Sequence, residues 1–409
     1  MTTYIKTNMN RKKQMSLFID FIDVNTKSVN IHTKTEINDK AYCKGKYNEF
    51  DHSIVFPNQI NLDSSYKSSI DIATEISPDL SVDMHNVKIV SKIVTIDDLL
   101  QLLKENPMLS NVKYNINIKA IHNIKDDLVK LNGMIGMSSL KSNIIDQIIY
   151  FVQDLHTFSN ETDGDFLHTV IYGPPGTGKT EVAKIMGSIY SKLGILKKNI
   201  FKKATRSDLV AGYLGQTAMK TQELIKSCLG GVLFIDEAYS LGSEEKQDSF
   251  AKEAVDTLCE ALSDHKKELM VIIAGYEDEL KTCFFNFNRG LDSRFTWRFK
   301  TENYNASEMK QIFEKKVIEN GWKINDIPST WFEKNMSYFK YFGRDMEVLF
   351  SKTKIAHSRR VFCLDETEKK TITIDDLDNG LKRYLDNDEI KKRKENEEFN
   401  KNMKNTLYC

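Results

Sequence analysis

Gly173-Pro174-Pro175-Gly176-Thr177-Gly178-Lys179-Thr180 constrains this chain more than any other segment. It fits G-x-x-x-x-G-K-[ST], in which glycines let the backbone approach a polyphosphate and main-chain amides point at it. Thr169-Val170-Ile171-Tyr172 before it reads as a short buried strand, and Glu181 to Tyr190 after it as a helix. A strand, a glycine-rich turn and a helix N-terminus are the context in which such a loop holds an anion. Average composition produces the pattern by chance in roughly 1% of chains of this length, so an accidental match is a weak alternative.

The surrounding pattern predicts an α/β domain. Apolar runs recur at Ile200-Phe201, at Val232-Leu233-Phe234-Ile235 and at Met270-Val271-Ile272-Ile273-Ala274. Phe295, Trp297 and Phe299 suggest a fifth strand. Helical patterns lie between them, such as Phe250, Ala254, Val255, Leu258 and Leu262 on one face. Short apolar strands alternating with helices imply a parallel sheet covered on both faces. After Tyr304 the strands are expected to stop. Helices are predicted over Ala306–Asn320, Thr330–Phe339, Asp345–Ser358 and Ile374–Leu385, and an amphipathic helix over Ser139–Leu155.

The chemistry follows from the loop and one strand end. Lys179 is placed to reach the β- and γ-phosphates, and the Thr180 hydroxyl to ligate Mg²⁺. Val232 to Ile235 run into Asp236 and Glu237. At the carboxyl end of that strand Asp236 can hold Mg²⁺, and Glu237 can orient and deprotonate an attacking water. Alone, a strand ending in an acidic turn would account for this pair. Beside a phosphate loop, ATP hydrolysis is the stronger reading. No N/T-K-x-D base-reading motif follows the loop, which argues against a GTPase.

Together these residues resemble an AAA+ ATPase, and more closely its CbxX/CfxQ branch, which includes red-type rubisco activases and sporulation-linked ATPases. Leu131-Asn132-Gly133-Met134-Ile135-Gly136-Met137 with Lys141 looks like the domain's lead-in segment. Arg206-Ser207-Asp208-Leu209, followed by Gly212-Tyr213-Leu214-Gly215, looks like the pore-loop region. Gly230 to Leu241 is similar to the metal-carboxylate strand, Ile273-Ala274-Gly275-Tyr276 to the first sensor, and Gly290-Leu291-Asp292-Ser293-Arg294-Phe295 to the arginine-finger segment. The resemblance covers roughly residues 128–385. It implies a homo-oligomeric ring, hexameric in kind, with ATP between subunits and a protein substrate threaded past Tyr213 and Leu214. It also implies that Arg294 reaches a neighbour's ATP, with Arg289 as second candidate because Asn288-Arg289-Gly290-Leu291 departs from N-P-G-L. A surface arginine paired with Asp292 is the plainer alternative for Arg294. Arg344 resembles the second-sensor arginine of the lid, with an exposed helix arginine as alternative. Tyr276 stands where many AAA+ proteins have Asn or Thr, a feature this branch shares.

The domain organisation expected is an N-terminal region over 1–127, adaptor or loosely ordered, an AAA+ α/β domain over 128–304, a helical lid over 305–388 and a charged tail over 389–409. Within the first region Val29, Ile31, Thr33 and Thr35 alternate as an exposed strand would, and Thr95 is set to cap a helix stopped near Pro107. Basic and acidic residues balance at 58 each, and no aromatic-basic stripe is visible. A nucleic-acid-dependent ATPase of helicase or clamp-loader type is therefore the weaker alternative, beside a nucleotide-gated binding module. The six cysteines form no C-x-x-C pair, the N-terminus lacks a signal-peptide core, and no apolar run approaches a membrane span. A soluble cytoplasmic protein is the expectation.

Overall fold

The computed structural model describes residues 3–6, 16–23, 28–34, 40–47 and 54–55, then 85–395 apart from 110, 157–164, 214, 243–247, 366–368 and 394. The chain divides into two compact units, residues 1–81 and 82–409. The first contains β1 (Thr3–Lys6), β2 (Ser16–Asp23), β3 (Ser28–Lys34), β4 (Lys40–Tyr47) and β5 (Ile54–Val55) in sequential antiparallel order. The expected strand alternation falls on β3, except for Thr35, which lies outside the described residues.

The second unit opens with β6 (His85–Val87) and α1 (Ile96–Glu105). Thr95 caps α1 in a capping box with Asp98, as its sequence predicts. Next come β7 (Val112–Tyr114), parallel to β6, then α2 (Ile118–Asn123), α3 (Lys125–Asn132) and α4 (Ser138–Val152). Leu99, Leu102, Leu103, Ile118, Ile121, Leu128 and Leu131 are buried in one core with the sheet described below. The boundary expected near residue 127 thus lies inside this unit.

Five parallel strands form the central sheet: β8 (Thr169–Tyr172), β9 (Phe201–Ala204), β10 (Val232–Ile235), β11 (Met270–Gly275) and β12 (Trp297–Lys300). Their spatial order is β12-β8-β11-β10-β9, so β8 is flanked by the two last strands. Alternate residues feed two cores. Ile171, Val232, Phe234, Ile272 and Phe299 face one side, while Val170, Tyr172, Leu233, Ile235 and Ile273 face the other. Strands β8, β10 and β11 are buried throughout, which explains a sequence that is apolar but for Thr169. Between them run α5 (Lys179–Lys192), α6 (Arg206–Leu209), α7 (Thr217–Cys228), α8 (Ser249–Asp264), the single turn α9 (Glu277–Glu279), a π-helical turn at Leu280–Phe285, and α10 (Arg289–Arg294).

The lid comprises α11 (Ala306–Glu319), α12 (Ser329–Asn335), α13 (Phe342–Arg360) and α14 (Ile374–Leu385). Two short strands correct the expectation that strands end at Tyr304. β13 (Lys323–Ile324) and β14 (Thr371–Ile372) pair in parallel and tie the loop after α11 to the start of α14. Two-residue strands carry too little periodicity to be read from sequence. The reading Thr330–Phe339 resolves into α12 and a 3₁₀ turn at Met336–Tyr338.

Helices α13 and α14 approach closely at Gly380, where an added Cβ would lie 2.3 Å from Thr353 Oγ1 and 2.7 Å from its Cα. Alanine normally favours a helix over glycine by about 1 kcal/mol. Here overpacking outweighs propensity, so Gly380→Ala should destabilise the second unit by about 1–3 kcal/mol, read as a lower urea midpoint for loss of helical circular dichroism.

Candidate ATP-hydrolysis site

The phosphate loop connects the carboxyl end of β8 to α5, and its shape depends on tertiary partners as well as on glycine. Gly176 and Gly178 have φ of 75° and 83°, a region that disfavours side chains. At Gly176 a Cβ would stand 2.0 Å from the Tyr341 carbonyl oxygen, because the lid packs directly on the loop. The Gly343 amide donates to the Gly176 carbonyl at 3.0 Å. Thr177 is fully buried; its hydroxyl donates to the Pro174 carbonyl at 2.8 Å and meets the Thr301 hydroxyl at 2.9 Å. The Tyr304 hydroxyl donates to the Thr177 carbonyl at 3.1 Å. Met134 and Met137, from the lead-in segment, pack beside Gly178. Gly178 precedes α5 without a side-chain cap, which leaves the first helical amides for an anion.

A cavity of about 350 Å³ opens over this loop. Lys179, Thr180, Asp236, Glu237, Tyr276 and Arg344 all line it. The structure thus brings together residues from the loop, the end of β10, the end of β11 and the lid. Lys179 Nζ donates to the carbonyls of Gly173 and Pro174 at 2.9 and 2.7 Å. Burial lowers the Lys179 pKa; Asp236 and Glu237 oppose that shift, and Arg344 adds to it. Arg344, at the start of α13, is therefore close enough to act on Lys179 electrostatically.

Glu237 adopts a left-handed conformation, φ 51° and ψ 45°. A non-glycine residue held there costs of order 1–3 kcal/mol. Strand pairing on one side and a 3₁₀ turn on the other hold it: the Asp236 amide donates to Ala204 and the Ser240 amide to Glu237, at 3.1 and 2.9 Å. The turn reverses the chain, so Glu237 and Tyr239 both reach the cavity. Burial, then Glu237, pushes the Tyr239 phenol up to about 12, and burial raises Tyr276. Both phenols remain O–H donors throughout the neutral range.

Arg294 does not line this cavity. It is half-buried on α10, with Nε donating to Ser263 Oγ at 2.7 Å and Nη1 to the Gly290 carbonyl at 2.6 Å. Asp292 instead pairs with Arg298. Arg289 is exposed at the start of the same helix. Tyr213 is 75% exposed between two glycines with open space around them, and Leu214 lies outside the described residues.

Several residues that line the cavity or hold its loop escaped the sequence reading. Lys203 on β9 donates to Asp236 Oδ2 at 2.6 Å. Strand parity held the signal: Lys203 pairs with Phe234, and Asp236 lies two positions further on the same face. Lys316 of α11 and Glu347 of α13 form an ion pair at the cavity wall. Thr301 and Tyr304 follow β12, whose place beside β8 no local pattern announces.

A phosphate loop and a paired-carboxylate strand end on one parallel sheet, under a helical lid, define a P-loop ATPase. Residues 169–299 match the ATPase family associated with various cellular activities (AAA). A putative cfxQ-like protein of Acanthamoeba polyphaga mimivirus is 38% identical over 70% of this chain and 70% of its own length. Stage V sporulation protein K of Bacillus subtilis (strain 168) is 34% identical over 64% and 85% of the two chains. The plasmid protein CbxX of Cupriavidus necator is 32% identical over 60% and 80%. The chain belongs to the AAA+ ATPases of the CbxX/CfxQ type. No described helix is long and apolar enough to cross a membrane.

Gly176→Ala places a side chain against Tyr341 at a strained φ. Nucleotide affinity should fall at least about tenfold, which equals 1.4 kcal/mol. Titration with a fluorescent ADP or ATP analogue measures this, and circular dichroism checks that the chain still folds.

Proposed function

We propose that this ATPase is the subunit of a ring that uses Mg²⁺-dependent ATP hydrolysis to remodel or thread a protein substrate. The observation that carries this reading is a direct link between the hydrolytic turn and the Tyr213 loop. Arg206 opens α6, the short helix before that loop, and its Nη1 donates to the Ser240 carbonyl at 2.7 Å. It also pairs with Asp248, the N-cap of α8. Ser240 belongs to the turn that follows Glu237. A shift at Glu237 is therefore passed through one guanidinium to the segment that presents an exposed aromatic side chain. Such a side chain, bracketed by glycines, suits an apolar grip tolerant of substrate sequence.

In the proposed site the loop amides and Lys179 hold the β- and γ-phosphates, and Arg344 contacts the γ-phosphate from the lid. Glu237 orients water and accepts its proton. The phenol of Tyr276, or that of Tyr239, donates toward the transferring group. Thr180 and Asp236 offer a hydroxyl and a carboxylate on one wall, the hard oxygen donors that Mg²⁺ takes. Bound there, the ion would neutralise charge shared by the β- and γ-phosphates.

A guanidinium from the adjacent subunit is proposed to complete the site, and α10 supplies the two candidates. Arg294 would have to leave Ser263 and Gly290 to act in trans, whereas Arg289 is already exposed. A finger supplies about 10³–10⁵ in rate. Arg294→Ala, or Arg289→Ala if that residue is the finger, should abolish turnover to that extent with ATP binding kept. Mixing the inactive variant with Lys179→Ala subunits should restore part of the activity, since each then contributes the missing half of a shared site. Separately, Glu237→Gln should retain ATP and sediment as an ATP-stabilised oligomer. A monomer in saturating Mg·ATP, or stimulation by DNA or RNA but not by unfolded polypeptide, would overturn the ring-remodelling reading.

A further inference from the structure

Lys203 is a charged group of the ATP cavity that the reaction chemistry above leaves unused, and it lies directly on the carboxylate of Asp236. Its ammonium lies 2.6 Å from Asp236 Oδ2, and both residues line the cavity with Thr180 and Glu237. The contact is built by the sheet. β9 is the edge strand next to β10, and Lys203, Phe234 and Asp236 share one face. Phe201, two residues earlier on that face, stacks on Phe234 with ring centroids 5.7 Å apart. The stem of Lys203 is thus aimed along the same face toward the carboxylate. On the opposite face Lys202 points away and meets Ser227.

Asp236 carries the carboxylate proposed to serve the divalent metal. A positive charge already on it competes with another arriving there. We propose that Lys203 is a built-in competitor of the divalent metal at Asp236: it holds the carboxylate until metal and triphosphate displace it together. The side chain of Lys203 is 49% exposed, against 23% for Asp236. The lysine therefore has solvent to swing into, while the carboxylate stays in place. Two effects of opposite sign follow. With metal present, the ammonium opposes metal-nucleotide binding because its ion pair must first break. Without metal, it assists nucleotide binding, since it neutralises Asp236 and adds positive charge to the phosphate cavity. A lysine that served only to support β9 would move both affinities the same way.

This inference rests on the ATP–Mg²⁺ reading of the site, and one experiment separates the two. A fluorescent, non-hydrolysable ATP analogue is titrated into the full chain across a range of free Mg²⁺ and in excess chelator. The wild type is compared with Lys203→Met, Lys203→Gln and Lys203→Arg. A half-exposed ion pair is a modest barrier. Lys203→Met should therefore lower the Mg²⁺ midpoint about fivefold while weakening metal-free binding of the analogue. Lys203→Gln should behave likewise and replaces the methionine variant should that fold poorly. Lys203→Arg keeps the carboxylate paired and should hold or raise the wild-type midpoint. An unchanged midpoint in the neutral variants, or metal-free and metal-bound affinities shifting together, overturns the role of Lys203 alone. A wild-type chain whose analogue affinity ignores Mg²⁺ overturns that role and the ATP–Mg²⁺ reading together.

Discussion

A polyphosphate can be held by main-chain amides only where those amides point into open space, and the packing of the second unit around the loop meets that need. The loop must be free of side chains on its inner surface, yet it cannot be slack. Glycine meets the first requirement and weakens the second. The structure supplies rigidity from outside. Thr301 and Tyr304, beyond β12, grip Thr177 from one side, and the Gly343 amide with the Tyr341 carbonyl presses on Gly176 from the lid. Both clamps come from segments more than a hundred residues downstream. The sheet order with β8 between β11 and β12 delivers the first, and the packing of α13 delivers the second.

Charge at the site is dense and nearly balanced. Lys179, Lys203, Lys316 and Arg344 surround a cavity that also contains Glu181, Asp236, Glu237 and Glu347. Two of the lysines are already engaged with carboxylates, Lys203 with Asp236 and Lys316 with Glu347. Lys179 is bound to backbone carbonyls of its own loop. A polyanion entering the cavity therefore exchanges partners more than it finds free cations. This keeps a cluster of like charges from disrupting the fold without ligand.

The backbone strain at Glu237 has a structural counterpart. The left-handed residue lets the chain turn sharply off β10, which sends Tyr239 back over the cavity and places the Ser240 carbonyl against Arg206. One conformational feature thus serves the Glu237 carboxylate, a phenol beside it and the contact to the Tyr213 segment. A straight continuation of the strand would serve none of them.

The sequence by itself determined the local pieces. Strands β8, β10 and β11 are apolar but for Thr169 because both faces are covered. Thr95 and Asp98 cap α1 through contacts three residues apart, and the glycines with Lys179 and Thr180 state their chemistry within eight residues. What only the tertiary structure decided are contacts between distant segments. They include the grip of Thr301 and Tyr304 on Thr177, the lid on Gly176, Lys203 on Asp236, and the bond that holds Arg294 to Ser263. The β13–β14 pair belongs with these, since each member is two residues long. The physical reason is common to all. Propensity, capping and alternation act over a few neighbouring residues, whereas strand order and helix packing are set by burial of the whole core, to which no single segment holds the key.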